Sequence, residues 1–204
     1  MKVKICGLQN EEAALFAVNN GADAIGFVFA ESKRKSTPLE ASKIISTLPQ
    51  ETKKVGVFVN PNREMIDEVV ETTGIDYVQL HGNETPEFCN SIPYPVIKAF
   101  SIQSKEDLQK IHEYACEYVL LDGPKGKYHG GNGISFDWSI LSTFDFKNKK
   151  VILAGGLHPE NVKAAIANKS VSMVDVSSGV ETDGVKDLTK IKNFLTTVKG
   201  VRTI

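Results

Sequence analysis

The residues of this sequence that invite a chemical reading sit at the ends of short apolar runs. Asp122 closes Tyr118-Val119-Leu120-Leu121, and Asp175 interrupts Met173-Val174-Asp175-Val176. A carboxylate in such surroundings is costly unless it is paired, hydrogen-bonded or facing a cavity, so both are candidate functional acids. For Asp175 the alternative is a structural acceptor for backbone N–H groups of a neighbouring loop. Cys6 ends Val3-Lys4-Ile5. A thiol there is either a small buried hydrophobe or, if its strand opens on a site, a candidate reactive group. Two glycine-containing turns, Ala154-Gly155-Gly156-Leu157 and Ser177-Ser178-Gly179, follow the last two apolar runs. Glycines let backbone N–H groups approach a ligand closely, and a helix N-terminus after such a turn favours an anion. Gly155, Gly156, Ser178 and Gly179 are therefore candidates for holding a phosphate, against the plainer reading of tight strand-to-helix turns.

Other positions carry two readings each. His81, after Gln79, is a polar wall residue or a participant in chemistry; His112 and His158 read as structural. Arg34 in Lys33-Arg34-Lys35 is a solvated loop cation or an arginine turned inward to grip a carboxylate. Lys98 is a Schiff-base lysine or the partner of interior acids. Gly130-Gly131-Asn132-Gly133, preceded by Lys125, Lys127, Tyr128 and His129, is a mobile lid or a surface turn. Cys89 and Cys116 fall on helical stretches and read as structural. The three cysteines form no C-x-x-C pair, and no H-x-H or carboxylate cluster accompanies them, so neither a metal nor a disulfide framework is expected.

The elements that must position these groups repeat along the chain. Apolar, β-branched-rich runs begin at Val3, Ala24, Lys54, Tyr77, Val96, Tyr118, Val151 and Met173, spaced 19 to 33 residues apart. They are near-continuous rather than alternating, as parallel strands buried on both faces are. Helical periodicity lies between them: Ala14, Leu15 and Val18 within Glu11–Asn20; Met65, Ile66, Val69 and Val70 within Asn62–Thr73; Leu108, Ile111, His112 and Ala115 within Lys105–Cys116. Pro38 and Pro159 suit a first helical turn, Ser104 suits a cap, and Gly21 and Gly74 suit helix ends. Eight alternations predict an α/β single-domain (β/α)8 barrel spanning 1–204, ahead of a doubly wound open sheet, whose usual G-x-G-x-x-G turn is missing. In a barrel the carboxyl ends of the strands form the active site, which is where Cys6, His81, Asp122, Asp175 and the glycine turns fall.

Composition narrows the class. The chain has 204 residues, 41% hydrophobic and 24% charged, with a net charge of −1. That is apolar enough for a full core and lacks the basic excess of nucleic-acid or membrane-surface binding. No apolar stretch is long enough to span a bilayer or form a signal-peptide core, and the expected location is cytoplasmic.

Taken in order, the strings resemble the phosphoribosylanthranilate isomerases of tryptophan biosynthesis. The matching segments include Lys4-Ile5-Cys6-Gly7-Leu8, Gly21-Ala22-Asp23-Ala24-Ile25-Gly26-Phe27, Ser32-Lys33-Arg34 and Val55-Gly56-Val57-Phe58-Val59-Asn60. They continue with Gln79-Leu80-His81-Gly82, Leu120-Leu121-Asp122, Phe136-Asp137-Trp138, Ala154-Gly155-Gly156-Leu157 and Asp175-Val176-Ser177-Ser178-Gly179-Val180-Glu181. The resemblance implies an Amadori rearrangement of N-(5-phosphoribosyl)anthranilate to the 1-deoxyribulose ketone, without cofactor or metal. It implies Asp122 as the acid at the ring oxygen and Cys6 as the base at ribose C2. Arg34 is implied to hold the anthranilate carboxylate, His81 and Asp175 to contact the substrate, and Gly155, Gly156, Ser178 and Gly179 to cradle the phosphate. The implied partner is this small phosphorylated sugar–anthranilate alone, bound by a monomer or homodimer. Two positions depart from the family pattern: Asn132, where Ser or Thr is usual, and Lys35-Ser36-Thr37, where aromatic and aliphatic residues are usual.

The chemistry fits residues of these types. Ring opening needs an acid and enolisation a base, each worth a factor of about 10²–10⁴. With an ordinary pKa near 8.5, about 3% of a thiol is ionised at pH 7, so full ionisation would gain about 30-fold at most. The remaining alternatives are another phosphate-binding barrel, such as an indole-glycerol-phosphate synthase or a Lys98 aldolase, and a non-catalytic phosphate-metabolite binder.

Overall fold

A computed structural model of the chain describes residues 1–123 and 136–200. Eight strands close into one parallel barrel in chain order: β1 (Lys2–Cys6), β2 (Ala24–Val28), β3 (Lys53–Phe58), β4 (Tyr77–Leu80), β5 (Val96–Ser101), β6 (Tyr118–Asp122), β7 (Lys150–Leu153) and β8 (Val171–Val176). Every expected run is a strand, with ends shifted by two residues at most. Closure is made at the β1–β8 seam, where Val3 pairs with Val174 and Lys4 with Asp175, so the barrel holds and the open sheet does not. The expected loop with Lys125, Lys127, Tyr128, His129 and Gly130–Gly133, including Asn132, lies outside the described residues.

The strand pleat sorts side chains into two layers. Val3, Ile5, Ile25, Phe27, Val119, Leu121, Val151 and Leu153 belong to the large core between barrel and helices. Ala24, Val55, Ile97, Leu120 and Ile152 form a smaller cluster on the opposite faces, inside the barrel. Along β1 the same alternation sends Lys4 and Cys6 inward.

The helices are α1 (Glu11–Asn19), α2 (Pro38–Ile45), α3 (Arg63–Thr73), α4 (Pro86–Ser91), α5 (Val162–Ile166) and α6 (Leu188–Lys199). Side-chain oxygens of Asn10, Thr37, Asn62, Thr85 and Asp187 cap five of them. At Thr37 the Glu40 carboxylate reaches back to complete a capping box, so part of the unusual Lys35-Ser36-Thr37 segment has a local structural task. Gly74 ends α3 in the left-handed region at φ 65°.

Three expectations need correction. The Lys105–Cys116 helix is a 3-10 helix over Glu106–Glu113, and its N-cap is Lys105 rather than Ser104. Its buried residues, Leu108 and Ile111, are three apart, the spacing that a 3-10 helix stacks on one face. Pro159 does not open a helix. It sits second in a turn closed by Asn161 N–H donating to His158 O (3.2 Å), and α5 starts after it. Met65 is not in the core stripe of α3; Ile66 and Val69 are buried there, whereas Met65 is exposed.

Lys98 takes the partner reading. Its ammonium, buried on β5, donates to Glu84 Oε2 at 2.9 Å and to the carbonyls of Gly82 and Ala99, both at 3.0 Å. Burial works to raise the Glu84 carboxyl, but Lys98 and the backbone N–H donors hold it below the usual glutamate value. Glu84 in turn receives the N–H groups of Asn60 and Gly82, joining the loops after β3 and β4. Breaking a buried ion pair by removing one partner costs about 3–5 kcal/mol. Lys98→Met is expected to lower the unfolding free energy by about that amount in urea titration, and a loss under about 1 kcal/mol would show the pair to be dispensable.

Candidate active site

At the carboxyl ends of the strands the barrel opens on a cavity of about 740 Å³. Cys6, Arg34, His81, Asp122 and Asp175 all line it, with Gly155, Gly156 and Ser178 on the rim formed by the β7 and β8 turns. Gly179 is the one candidate not on the lining. Its Cα packs so closely under the Leu157 carbonyl that a Cβ would come within 1.8 Å of the oxygen. Gly179 thus lets the β8 turn lie against the β7 turn, and any backbone cradle is made by the other three residues. The turn geometry also differs from a helix-terminus site, because α5 begins only at Val162. Gly156 is held in the left-handed region, φ 65°, and its carbonyl accepts from Asn161 Nδ2 at 2.8 Å.

Asp122 is buried at the end of β6. Its Oδ1 accepts from the Gly123 N–H at 2.8 Å, and its Oδ2 lies 3.3 Å from His81 Nε2. The Gln79 amide nitrogen lies 3.2 Å from His81 Nδ1. With that nitrogen donating, the imidazole carries its proton on Nε2 and directs it at the carboxylate. Gly155 shapes this corner as well. It stands at φ 82°, and a Cβ there would meet Gly123 N at 2.3 Å and Asp122 Oδ1 at 2.7 Å.

On the opposing wall Cys6 is buried at the end of β1. Burial pushes its thiol above the ordinary value and Asp175 adds to the rise, while the ammonium groups of Lys4 and Lys186 work against it. Asp175 is paired through Oδ2 with Lys4 Nζ at 2.9 Å, whereas its Oδ1 is buried without a hydrogen-bond partner. The Gln79 Oε1 is buried without a hydrogen-bond partner as well, so each of the two walls holds one unsatisfied acceptor.

Arg34 is turned inward. Its stem crosses Gly7, where a Cβ would come within 2.5 Å of Arg34 Cδ, and its fork is bidentate on Glu181, Nε to Oε1 at 2.6 Å and Nη2 to Oε2 at 2.7 Å. Glu181 and Lys186 face each other across a two-stranded hairpin, Glu181–Thr182 with Val185–Lys186, and Lys186 Nζ also reaches Ser177 O at 2.9 Å. Burial works to raise the Glu181 carboxyl, but Arg34 and Lys186 hold it low.

The sequence reading overlooked four residues in this site. Lys4 and Gln79 lie two positions before Cys6 and His81, and strand alternation alone would have turned them inward beneath those residues. Glu181 and Lys186 flank Asp183-Gly184, a two-residue turn signature with both residues at positive φ, which was the available signal for the hairpin. Asn60, in contrast, does not line the cavity; it binds the β4 loop through Oδ1 and Asn83 N–H at 2.7 Å. Among the described residues no group of three or more His, Cys, Asp or Glu is placed to hold a metal ion. None of the described helices is long and apolar enough to cross a membrane.

Comparison with known proteins adds independent findings. Residues 3–197 match the family model described as N-(5′-phosphoribosyl)anthranilate (PRA) isomerase. A relative of that name from Bacillus cereus is 48% identical over 200 residues, 98% of each chain. The crystal structure of phosphoribosyl anthranilate isomerase from Thermotoga maritima is 41% identical, with a TM-score of 0.92 over 98% of this chain and 100% of that one. A further structure, of a phosphoribosyl anthranilate isomerase in complex with reduced 1-(o-carboxyphenylamino)-1-deoxyribulose 5-phosphate, is 41% identical with a TM-score of 0.88, covering 98% of this chain and 100% of that one.

The close packing of Gly155 against Asp122 generates a test. Gly155→Ala must displace the Asp122 carboxylate or the Gly123 backbone, and a shift of about 1 Å at a reacting group costs up to about 10² in rate. Steady-state kinetics of the folded variant should show kcat reduced at least about tenfold with a smaller change in KM. An unchanged kcat would mean that the β7 turn does not set the position of Asp122.

Proposed function

From its membership of the N-(5′-phosphoribosyl)anthranilate isomerase family, to which this chain belongs, we propose a division of labour at the barrel mouth. The protein is an isomerase of tryptophan biosynthesis that converts N-(5′-phosphoribosyl)anthranilate to 1-(2-carboxyphenylamino)-1-deoxyribulose 5-phosphate. In the proposed scheme the Asp122 carboxyl protonates the ribose ring oxygen, the C1–O bond breaks, and the anthranilate nitrogen supplies the electron pair that forms the iminium. The carboxylate left behind receives the Gly123 N–H and the His81 Nε2–H, which stabilise its negative charge. Cys6, as thiolate, then removes the C2 proton to give an enaminol, and the ketone forms as C1 takes up a proton and the C2 hydroxyl gives one up. The scheme uses side chains alone and calls for no cofactor or metal.

The observation that carries this reading is that Cys6 and Asp122 open on one cavity from β1 and β6, on separate walls of the closed barrel. An acid and a base on two sides of a bound sugar can act on its ring oxygen and C2 in turn. Asp175, on the cavity wall, orients the ribose of the substrate. The turns holding Gly155, Gly156 and Ser178, supported from below by Gly179, receive the phosphate. Arg34 meets the anthranilate carboxylate, sharing its fork with Glu181 or releasing it when substrate binds. The enzyme works in the cytoplasm as a monomer or homodimer, in line with the Thermotoga maritima protein being described as dimeric with monomers generated from it.

The wild-type chain should complement a tryptophan auxotroph lacking only this step. Asp122→Asn keeps the shape without a transferable proton and should lower kcat by about 10² or more. Cys6→Ser puts a far weaker acid, and so almost no oxyanion, in place of the thiol, and should lower kcat at least as far. A folded Cys6→Ser protein retaining more than about a tenth of the activity would remove the cysteine from the role of base.

Arg34→Lys should weaken a product analogue that bears the carboxylate more than one that lacks it, because a lysine replaces a bidentate fork by a point charge. Equal losses in calorimetric titration of the two analogues would assign Arg34 to loop structure alone.

A further inference from the structure

Lys4 is fully buried, although lysine is among the residues least often found without solvent contact. The ladder explains how it is held. Register places Lys4 opposite Asp175 on β8 and Cys6 opposite Gly26 on β2. The Lys4 ammonium donates to Asp175 Oδ2 at 2.9 Å and lies on the same inward face of β1 as the Cys6 sulfur. Gly26 shows how closely they gather: a Cβ at that position would meet Cys6 Sγ at 2.7 Å and Lys4 Cε and Nζ, both at 3.1 Å. Sulfur and ammonium therefore occupy the space that any side chain at residue 26 would take.

We propose that Lys4 is a positioning residue whose ammonium is the counter-cation of the Cys6 thiolate, and that Gly26 leaves the room in which the two meet. The proposal deepens the reading of Cys6 as the base. A thiol at the buried end of a strand, beside the Asp175 carboxylate, would place two negative charges together on ionising, which an interior resists. One ammonium bonded to Asp175 and placed beside the sulfur offsets that repulsion. Burial works against the charge on Lys4, but Asp175 and then Cys6 hold its ammonium above the ordinary lysine value, so it stays cationic. The other charged groups around the sulfur are already engaged. Lys186 donates to Ser177 and Glu181, and Arg34 is bidentate on Glu181; His81 and Asp122 line the same cavity and bond to each other. Lys4 is the cation whose Nζ shares with the sulfur the space in front of Gly26.

The test reads Cys6 ionisation without substrate. The intact enzyme is treated with iodoacetamide across a pH series, and alkylation of the Cys6 peptide is followed by mass spectrometry, apart from Cys89 and Cys116. The midpoint should move up by at least one pH unit in Lys4→Met, a fall of about tenfold in the Cys6 rate at a fixed pH below the midpoint. Because removing one partner of a buried pair can prevent folding, the comparison is repeated in a background without the acid. Asp175→Asn should lower the midpoint, and adding Lys4→Met to it should raise it again by at least a unit. Identical midpoints with and without Lys4 in both backgrounds would overturn the proposal and leave Lys4 a structural partner of Asp175. If the midpoint shifts while Cys6→Ser stays active, the Lys4–Cys6 coupling stands and only the assignment of Cys6 as base falls.

Discussion

The ion pair between Lys4 and Asp175, 2.9 Å long and sealed inside the barrel, joins the first strand to the last. Both charges are removed from water, and leaving either one alone would cost about 3–5 kcal/mol. Strand alternation has a period of two, so a slip of one residue at the β1–β8 seam would move Asp175 to the helix-facing side and leave Lys4 against Val174 or Val176. The pair therefore fixes the register in which the barrel closes. That same register brings Cys6 and Asp175 to the mouth together, with Gly26 across from the thiol.

Around this seam the mouth is built by satisfying polar groups in succession. Arg34 and Lys186 both converge on Glu181, and Lys186 continues to Ser177, whose hydroxyl donates to the Cys6 carbonyl at 3.0 Å. On the other wall Gln79, His81 and Asp122 form a second chain of contacts. Glycines appear where backbone or charge must pass close by: Gly155 beneath Asp122, Gly179 under the Leu157 carbonyl, Gly7 under the Arg34 stem. Satisfaction is incomplete at two buried acceptors among the described residues of the mouth, Asp175 Oδ1 on one wall and Gln79 Oε1 on the other.

The barrel was legible in the sequence because parallel strands buried on both faces leave continuous apolar runs, which Tyr118–Leu121 and Val151–Ala154 display directly. The strand-end acids and thiol were legible for a related reason, since a polar group closing such a run has few structural uses. Local spacing misled where it fitted two forms. Leu108 and Ile111, three apart, lie on one face of an α-helix and of a 3-10 helix alike, so their spacing did not separate the two. Glycine chemistry was read as ligand approach at Gly155 and Gly179, where the structure shows that it also accommodates neighbouring protein atoms. The inward partners Lys4 and Gln79 carried a period-two signal beneath Cys6 and His81. Glu181 and Lys186 left no hydrophobic pattern in their two-residue strands, and only the Asp183-Gly184 turn between them marked the hairpin.

Turnover in this scheme needs two proton transfers at two walls of one cavity, and an isotope effect separates them most directly. With substrate deuterated at ribose C2, the ratio of rates for the light and heavy substrates reports how far breaking of the C2–H bond limits turnover. Removing the base should make that step limiting, so the isotope effect on kcat/KM should rise in Cys6→Ser above the wild-type value. Removing the acid should make ring opening limiting, so the effect should fall toward unity in Asp122→Asn. The reverse pattern, or the same isotope effect in all three proteins, would contradict the assignment of base to Cys6 and acid to Asp122.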